Sequence, residues 1–250
     1  MMCAIIFNMF NEDRHFRHEY KYIEPEVRLL TAELRLNSVM KKDSHVSDKG
    51  YYSIRSLYFD DYDDTFLNEN IDGVDEREKW RIRIYDRSSS FISLERKSRK
   101  ADMISKDSCR IDTDTFDNIM KGRMDIKDGN PPLLNEFYVR MRTRLIRPAV
   151  IVEYERTPFI AKEGNTRVTF DRNIRSSSEL DALLSDRELA ARPVLTHGQN
   201  LLEVKFDGFL PDHIAHTIET GRMRRETFSK YYLTRKFTFT GLTMQQYHYI

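Results

Sequence analysis

Charged residues recur at every second position in segments that read as β-strands. Residues 79–85 run Lys-Trp-Arg-Ile-Arg-Ile-Tyr. Because successive side chains of a strand point to opposite faces, Lys79, Arg81 and Arg83 share one face, while Trp80 and Ile82 share the other. Two guanidinium groups about 7 Å apart along a strand can each bind phosphate oxygens through paired hydrogen bonds. The pattern suits a phosphate-chain ligand, and the alternative is a solvated outer face of an edge strand.

Acidic residues are interleaved with basic ones on the same predicted faces. The spacing Glu-x-Lys occurs on three separate strands, at Glu19-x-Lys21, Glu95-x-Lys97 and Glu203-x-Lys205. A lumen lined only by bases would repel itself when empty, and interleaved carboxylates reduce that repulsion. Carboxylate oxygens also hold Mg²⁺ or Mn²⁺ against substrate phosphates. The alternative is cross-strand ion pairing without a ligand. If repulsion dominates, removing Arg81 and Arg83 together should leave the fold at least as stable.

The hydrophobic patterning predicts one α+β domain over residues 1–250. Eight strands are predicted, at residues 14–22, 50–60, 78–86, 91–99, 103–111, 148–158, 166–173 and 200–207. Helices are predicted at residues 25–40, 61–71, 112–121, 133–144, 180–191 and 210–221. The short turns at 87–90 and 99–102 require antiparallel neighbours. Eight antiparallel strands can close into a barrel, here with a charged lumen and with the helices packed outside.

Composition excludes several classes of function. The 250 residues contain 41 Lys and Arg against 40 Asp and Glu, which argues against a nucleic-acid binder. Two cysteines, Cys3 and Cys109, give neither a zinc spacing nor a disulfide framework, which favours a reducing, cytoplasmic location. No apolar segment reaches a transmembrane length. The apolar residues 1–10 are expected to pack on the body of the domain.

An acidic run at residues 60–64, Asp-Asp-Tyr-Asp-Asp, could be mistaken for a metal cluster. It stands between a predicted strand and a predicted helix. Because aspartates at such positions accept hydrogen bonds from the first N–H groups of a helix, the run is interpreted as a helix cap.

A series of short motifs resembles a known family. In order, these motifs are Glu19-x-Lys21, residues 56–60 (SLYFD), Arg81-x-Arg83, residues 95–97 (ERK), 154–159 (YERTPF), 167–171 (RVTFD), 202–205 (LEVK) and 229–231 (SKY). Together they are similar to the catalytic domain of the vacuolar transporter chaperone complex, whose bacterial relatives are called VTC-domain polyphosphate polymerases. The resemblance runs from about Arg14 to Tyr232, which leaves residues 1–13 and 233–250 as extensions. It implies the fold of the CYTH or triphosphate-tunnel superfamily.

The resemblance also implies roles for individual residues. The catalytic phosphate-binding bases would be Lys21, Arg81, Arg83, Lys97, Arg156 and Arg167. Further substrate-binding residues would be Lys106, Tyr154, Ser229, Lys230, Lys205, Glu19 and Glu95. Glu203 would hold a divalent metal, Mn²⁺ or Mg²⁺. Two positions depart from the family: Asn70 stands in a segment where fungal members carry an arginine, and Lys106-Asp107-Ser108 replaces Lys-x-Arg. Both changes reduce positive charge.

The implied activity is transfer of the γ-phosphate of a nucleoside triphosphate to a growing chain of inorganic polyphosphate. The ligands would be the nucleotide and pyrophosphate or polyphosphate, and coupling to a transporter would need a separate membrane-protein subunit. Two alternatives stay open. A tunnel triphosphatase would hydrolyse tripolyphosphate or nucleoside triphosphates in the same lumen, and a non-catalytic module would only bind polyphosphate.

Overall fold

The computed structural model describes residues 15–240 and contains ten strands and six helices over that range. The strands are β1 Arg17–Pro25, β2 Lys41–Lys42, β3 Tyr52–Asp60, β4 Glu76–Tyr85, β5 Ser88–Lys100, β6 Met103–Ile111, β7 Arg147–Ala161, β8 Thr166–Ser177, β9 Arg192–Pro193 and β10 Gln199–Phe206. The helices are α1 Glu26–Leu36, α2 Thr65–Ile71, α3 Thr113–Met120, α4 Pro132–Thr143, α5 Asp212–Ile218 and α6 Lys230–Thr240.

Eight of the strands form a ring of antiparallel pairs. The order is β7-β3-β4-β5-β6-β1-β10-β8, and β8 pairs again with β7. The two-residue strands β2 and β9 lie beside β7 and β8. The narrowest seam joins β1 to β6 through two residue pairs, at Arg17 and His18. The predicted α+β fold, with eight antiparallel strands in a ring and helices outside, is confirmed.

Tight turns join the central strands of the ring. Asp86 and Arg87, between β4 and β5, both have positive φ angles, of 49° and 55°. Such a turn matches the twist of a two-residue hairpin connection. The sequence predicts a longer loop here, and the structure instead starts β5 at Ser88. Residues 76–111 therefore form the expected antiparallel meander.

The apolar side chains lie on the outside of the ring, beneath the helices. Trp80 and Ile82 are fully buried. The Phe137 ring of α4 lies 5.2 Å from the Trp80 ring and 5.0 Å from the Phe59 ring. A second apolar layer joins the outer faces of β1, β8 and β10 to α1 and α5. The helices cover the outer sheet surface, and the inner surface is left to polar groups.

One predicted helix is wrong. Residues 180–191 contain a single 3-10 turn, Leu180–Ala182, and otherwise run irregularly. The buried guanidinium of Arg55 donates hydrogen bonds to four main-chain carbonyls of this segment, those of Ala182, Leu183, Ser185 and Arg187, at 2.6–3.3 Å. Because those carbonyls are bonded to a side chain on β3, the segment is held without the regular hydrogen bonds of a helix.

The acidic run after β3 caps α2 as the sequence predicts. The carboxylate of Asp60 accepts hydrogen bonds from the main-chain N–H groups of Phe66 and Leu67, at 2.9 and 3.1 Å. Asp61 accepts another from the N–H of Thr65 at 2.8 Å. Tyr231 of α6 donates its hydroxyl proton to Asp60, so the same cap ties α2 to α6.

Helix α6 extends beyond residue 232, where the sequence places the end of the core. Leu233 and Arg235 are buried, and Arg235 pairs with Asp64 at 2.6 Å. The expected packing of residues 1–10 lies outside the described residues.

Because the apolar side chains lie outside the ring and the polar ones inside it, substitutions on the two faces of a strand should differ in their effect on stability. Ile82→Asp would put a carboxylate into the apolar layer beneath α4 and should cost several kcal/mol or prevent folding. Ile160→Asp, on β7, is the control because Ile160 is 41% exposed. Chemical denaturation of both variants checks the expectation. A stable Ile82→Asp protein would mean that this face of β4 does not form a core.

Candidate functional site

A cavity of about 690 Å³ occupies the interior of the ring, and every strand of the ring contributes side chains to it. Among the residues predicted from the sequence, those that line it are Glu19, Lys21, Arg81, Arg83, Lys97, Lys106, Tyr154, Arg156, Arg167, Glu203, Lys205, Ser229 and Lys230. The remaining one, Glu95, lies beneath the lining bases. The alternation of charged and apolar residues thus brings the predicted set together.

Glu95 is the counterion of the Arg81 and Arg83 pair. Its carboxylate accepts a hydrogen bond from Arg81 Nε at 2.7 Å and lies 3.7 Å from Arg83 Nη1. Lys106 Nζ is 3.2 Å away on the other side. The residue is 1% exposed. Burial opposes its ionisation, but the two guanidinium groups and Lys106 hold the pKa of Glu95 well below its ordinary value.

Two tyrosines fix the same guanidinium groups from β3 and β7. The hydroxyl oxygen of Tyr58 accepts a hydrogen bond from Arg81 at 2.9 Å, and that of Tyr154 accepts one from Arg83 at 3.2 Å. Burial raises the pKa of Tyr154 to about 12. Tyr58 is equally enclosed, yet the adjacent Arg81 and Arg83 charges lower its pKa. Tyr58 was not predicted as a site residue, although the alternation of side chains along β3 places it on the inner face.

Glu19 holds a second group of bases. Both of its carboxylate oxygens lie 2.8 Å from Lys97 Nζ, Lys21 Nζ is also 2.8 Å away, and Lys205 Nζ is at 3.6 Å. Burial opposes its charge, but the Lys21 and Lys97 ammonium groups keep the pKa of Glu19 low. Burial lowers the pKa of Lys97 to about 7, against the opposing pull of Glu19. Lys97 can therefore exchange a proton near neutral pH.

Asp171 holds a third group and was missed as a site residue. Its two oxygens accept hydrogen bonds from Arg156 at 2.6 and 2.7 Å, and Lys230 donates to it at 2.6 Å. Asp171 is completely buried. The sequence could have indicated it, since Arg167 and Asp171 are four residues apart in β8 and therefore lie on the same face of the strand. Arg167 lies further out and bonds Tyr52 and Asp43, at 3.1 and 3.0 Å.

The segment before α6 borders the cavity and is tied to β1. The N–H of Glu226 donates to the carbonyl of Lys21 at 2.9 Å, and Lys21 Nζ donates to the carbonyl of Phe228 at 2.8 Å. This segment delivers Ser229 and Lys230 to the lumen. Ser229 Oγ meets Lys79 Nζ at 2.7 Å, and Lys79 also donates to Asn70. Neither Lys79 nor Asn70 was predicted to act in the site.

The acidic groups that could hold a divalent metal are few. Glu203 and Glu19 lie on neighbouring strands, and Lys205 Nζ contacts both carboxylates. No cluster of three or more His, Cys, Asp or Glu suited to a metal occurs among residues 15–240. Mg²⁺ is commonly bound by one or two carboxylates together with substrate phosphates. The donor set therefore fits a metal that arrives with a phosphate ligand.

Within the described part of the chain, no helix has the length and apolar character needed to cross a bilayer.

Several solved structures are similar to the chain at low sequence identity. The PH1819 protein of Pyrococcus horikoshii OT3 is 13% identical, with a TM-score of 0.45, over 88% of this chain and 98% of that protein. The capping enzyme triphosphatase of Mimivirus is 11% identical, with a TM-score of 0.36, over 86% of this chain and 91% of that one. No curated protein matches the chain in sequence.

The family model described as the VTC domain matches residues 16–239, which include all eight strands of the ring and α6 up to its penultimate residue. The chain belongs to the VTC domain family.

Proposed function

We propose that the chain is a phosphotransferase that moves the γ-phosphoryl group of a nucleoside triphosphate onto a chain of inorganic polyphosphate inside the ring. The main support is the convergence of many bases on one cavity, among them Lys21, Arg81, Arg83, Lys97, Arg156, Arg167, Lys205 and Lys230. These bases suit a ligand with many negative charges spaced along a chain. Membership of the VTC domain family supports the same substrate class.

The chemistry of phosphoryl transfer asks mainly for positioning and for neutralisation of charge. Arg81 and Arg83 are fixed by Glu95, Tyr58 and Tyr154 before any ligand arrives. Donors held in this way need little reorganisation when negative charge develops on the transferring group. Acceptor and donor chains would lie between the same bases, and no covalent nucleophile of the protein is required.

A divalent metal would be held by Glu203, with Glu19 beside it. When bound, it would neutralise phosphate oxygens and polarise the transferring group. Without a metal, Lys205 contacts Glu203 and acts as its counterion. Burial would raise the pKa of Glu203, but the charges of Lys205, Lys230 and Lys21 outweigh it and keep that pKa low. The Glu203 carboxylate therefore stays charged and available for a cation.

Hydrolysis is the second candidate, and Lys97 favours it. With a pKa of about 7, the Lys97 amine is partly neutral in the cavity near neutral pH. A neutral amine can accept a proton from a water molecule that attacks a phosphoryl group. In that case the acceptor would be water and the activity that of a triphosphatase.

Product analysis distinguishes these functions. The purified chain would be incubated with ATP and Mn²⁺ or Mg²⁺, and the products resolved by gel electrophoresis and by phosphate assay. The proposal expects chains longer than the input phosphate. Free phosphate without longer chains would assign hydrolysis. Binding of tripolyphosphate without turnover would leave a binding module, and a chain that neither binds nor turns over phosphate compounds would contradict the proposal.

Replacing the metal-binding carboxylate should separate turnover from binding. Glu203→Gln keeps the shape of the side chain but removes its charge, so metal-dependent turnover should be lost. Tripolyphosphate binding in EDTA should persist, because the bases remain. Calorimetric titration in EDTA and the product assay measure the two effects, and Glu188→Gln, in the exposed loop, is the control. A Glu203→Gln protein as active as the wild type would contradict the metal assignment.

The paired arginines should matter for stability as well as for activity. Arg81→Ala with Arg83→Ala should abolish turnover, but it would also leave the buried Glu95 with Lys106 alone. A buried charge without its partners typically costs about 3–5 kcal/mol. Charge repulsion alone predicts that the double variant is at least as stable as the wild type. The structure reverses that expectation, and the double variant should be less stable.

Adding Glu95→Gln to the double variant should recover much of that stability without restoring activity. Arg110→Ala, an exposed arginine on β6 that bonds the carbonyl of Ser90, is the control. Urea unfolding of the four proteins gives the comparison. If the double variant is as stable as the wild type, Glu95 is not held by these two bases.

A further inference from the structure

Lys79 differs in its hydrogen bonds from the central bases of the cavity. Arg81, Lys97 and Arg156 each bond a buried carboxylate. Lys79 Nζ instead donates to two neutral oxygens, Asn70 Oδ1 and Ser229 Oγ. Its amine faces the same cavity, as do Asn70 and Ser229. No hydrogen bond or ion pair among the described residues gives Lys79 a carboxylate partner.

The groups around Lys79 include three cations and a single carboxylate. They are Lys97 on β5, Lys21 and Glu19 on β1, Arg77 on its own strand, Asn70 on α2, and Ser229 and Tyr231 at the start of α6. The one carboxylate among them, Glu19, is already bonded to Lys21 and Lys97. Burial and these ammonium charges hold the pKa of Lys79 well below its ordinary value.

Two helices hold this amine in place. Asn70 belongs to α2, and Ser229 stands immediately before α6. The hydroxyl oxygen of Ser229 accepts from Lys79 at 2.7 Å and from the N–H of Tyr232 at 3.2 Å. A hydroxyl has two lone pairs and one proton. With both lone pairs used, the Ser229 proton is left to donate to a third group, and a phosphate oxygen in the cavity is a suitable acceptor.

We propose that Lys79, Asn70 and Ser229 form a phosphate subsite in which the bound phosphate is the counterion of the amine, and that filling this subsite transfers a proton from solvent to Lys79. The proposal rests on the proposed function to the extent that the ligand is a phosphate chain. It adds a specific position for one phosphate and a coupling between occupancy and protonation.

The sign of the coupling follows from the charges. In the empty cavity the Lys79 amine is partly neutral at pH values where an ordinary lysine is fully charged. A phosphate beside it stabilises the ammonium form and raises its pKa. Binding therefore takes up a proton between the two pKa values, and affinity falls as the pH rises through that range.

Calorimetry in two buffers tests the coupling. Tripolyphosphate would be titrated into the protein at pH 8 in EDTA, once in Tris and once in HEPES, whose ionisation enthalpies differ. Comparison of the two heats gives the protons exchanged on binding. Lys79→Arg keeps the charge but does not titrate. Lys100→Arg is the control, because Lys100 is exposed and pairs with Glu76 outside the cavity.

The wild type and Lys100→Arg should take up more protons on binding than Lys79→Arg, because only they carry an amine that titrates at residue 79. Protons exchanged by the ligand itself are common to all three proteins and cancel. A second variant, Lys79→Met, should also lose the uptake and bind about 10- to 100-fold more weakly, as expected for loss of a charged hydrogen-bond donor.

Equal proton uptake by the wild type and both Lys79 variants, with tripolyphosphate still bound, would overturn the subsite and leave the proposed function standing. Absence of tripolyphosphate binding by the wild type would overturn both.

Discussion

The structure depends on the neutralisation of buried bases by buried carboxylates. Glu95, Glu19 and Asp171 are each shared by two or more Lys or Arg side chains. A charge withdrawn from water is costly unless it is paired and hydrogen-bonded. The three carboxylates allow a ring of strands to keep its cationic groups facing inward, around the cavity. Removing one carboxylate would leave several bases unpaired at once.

That polar interior determines where the hydrophobic cores must lie. Because the lumen holds charges, the apolar faces of the strands point outward and need helices to cover them. Helices α2, α3, α4 and α6 cover one side, with Trp80 and Ile82 beneath, and α1 and α5 cover the other. Helix α6 has a second role, because the residues at its start, Ser229 and Lys230, belong to the cavity. This helix therefore links the hydrophobic core to the lining of the cavity.

The bases are not equivalent, and their partners explain the difference. Arg81 and Arg156 are fixed in charge and orientation by carboxylates, and in the proposed function they would serve as permanent binding groups. Lys97, with its pKa near 7, and Lys79, with neutral partners, can change their charge state. A site for a polyanion built from both kinds combines constant attraction with proton exchange. Turnover that releases or consumes protons would use the second kind.

The alternation of side chains along each strand, and through it the set of residues that face the cavity, could be read from the sequence alone. Alternation in residues 79–85 placed Arg81 and Arg83 opposite Trp80 and Ile82, because a strand repeats every two residues. The same argument identified Glu19 and Glu203, and the position of the acidic run before a predicted helix identified the cap at Asp60.

The folded structure alone shows which group holds each base, since partners such as Arg156 and Asp171, or Lys79 and Ser229, lie on different elements of the chain. It also decided against the helix predicted at 180–191, where Arg55 binds the carbonyls. Pairing across a closed ring depends on the register of strands that are remote in sequence, and local patterns carry no information about that register.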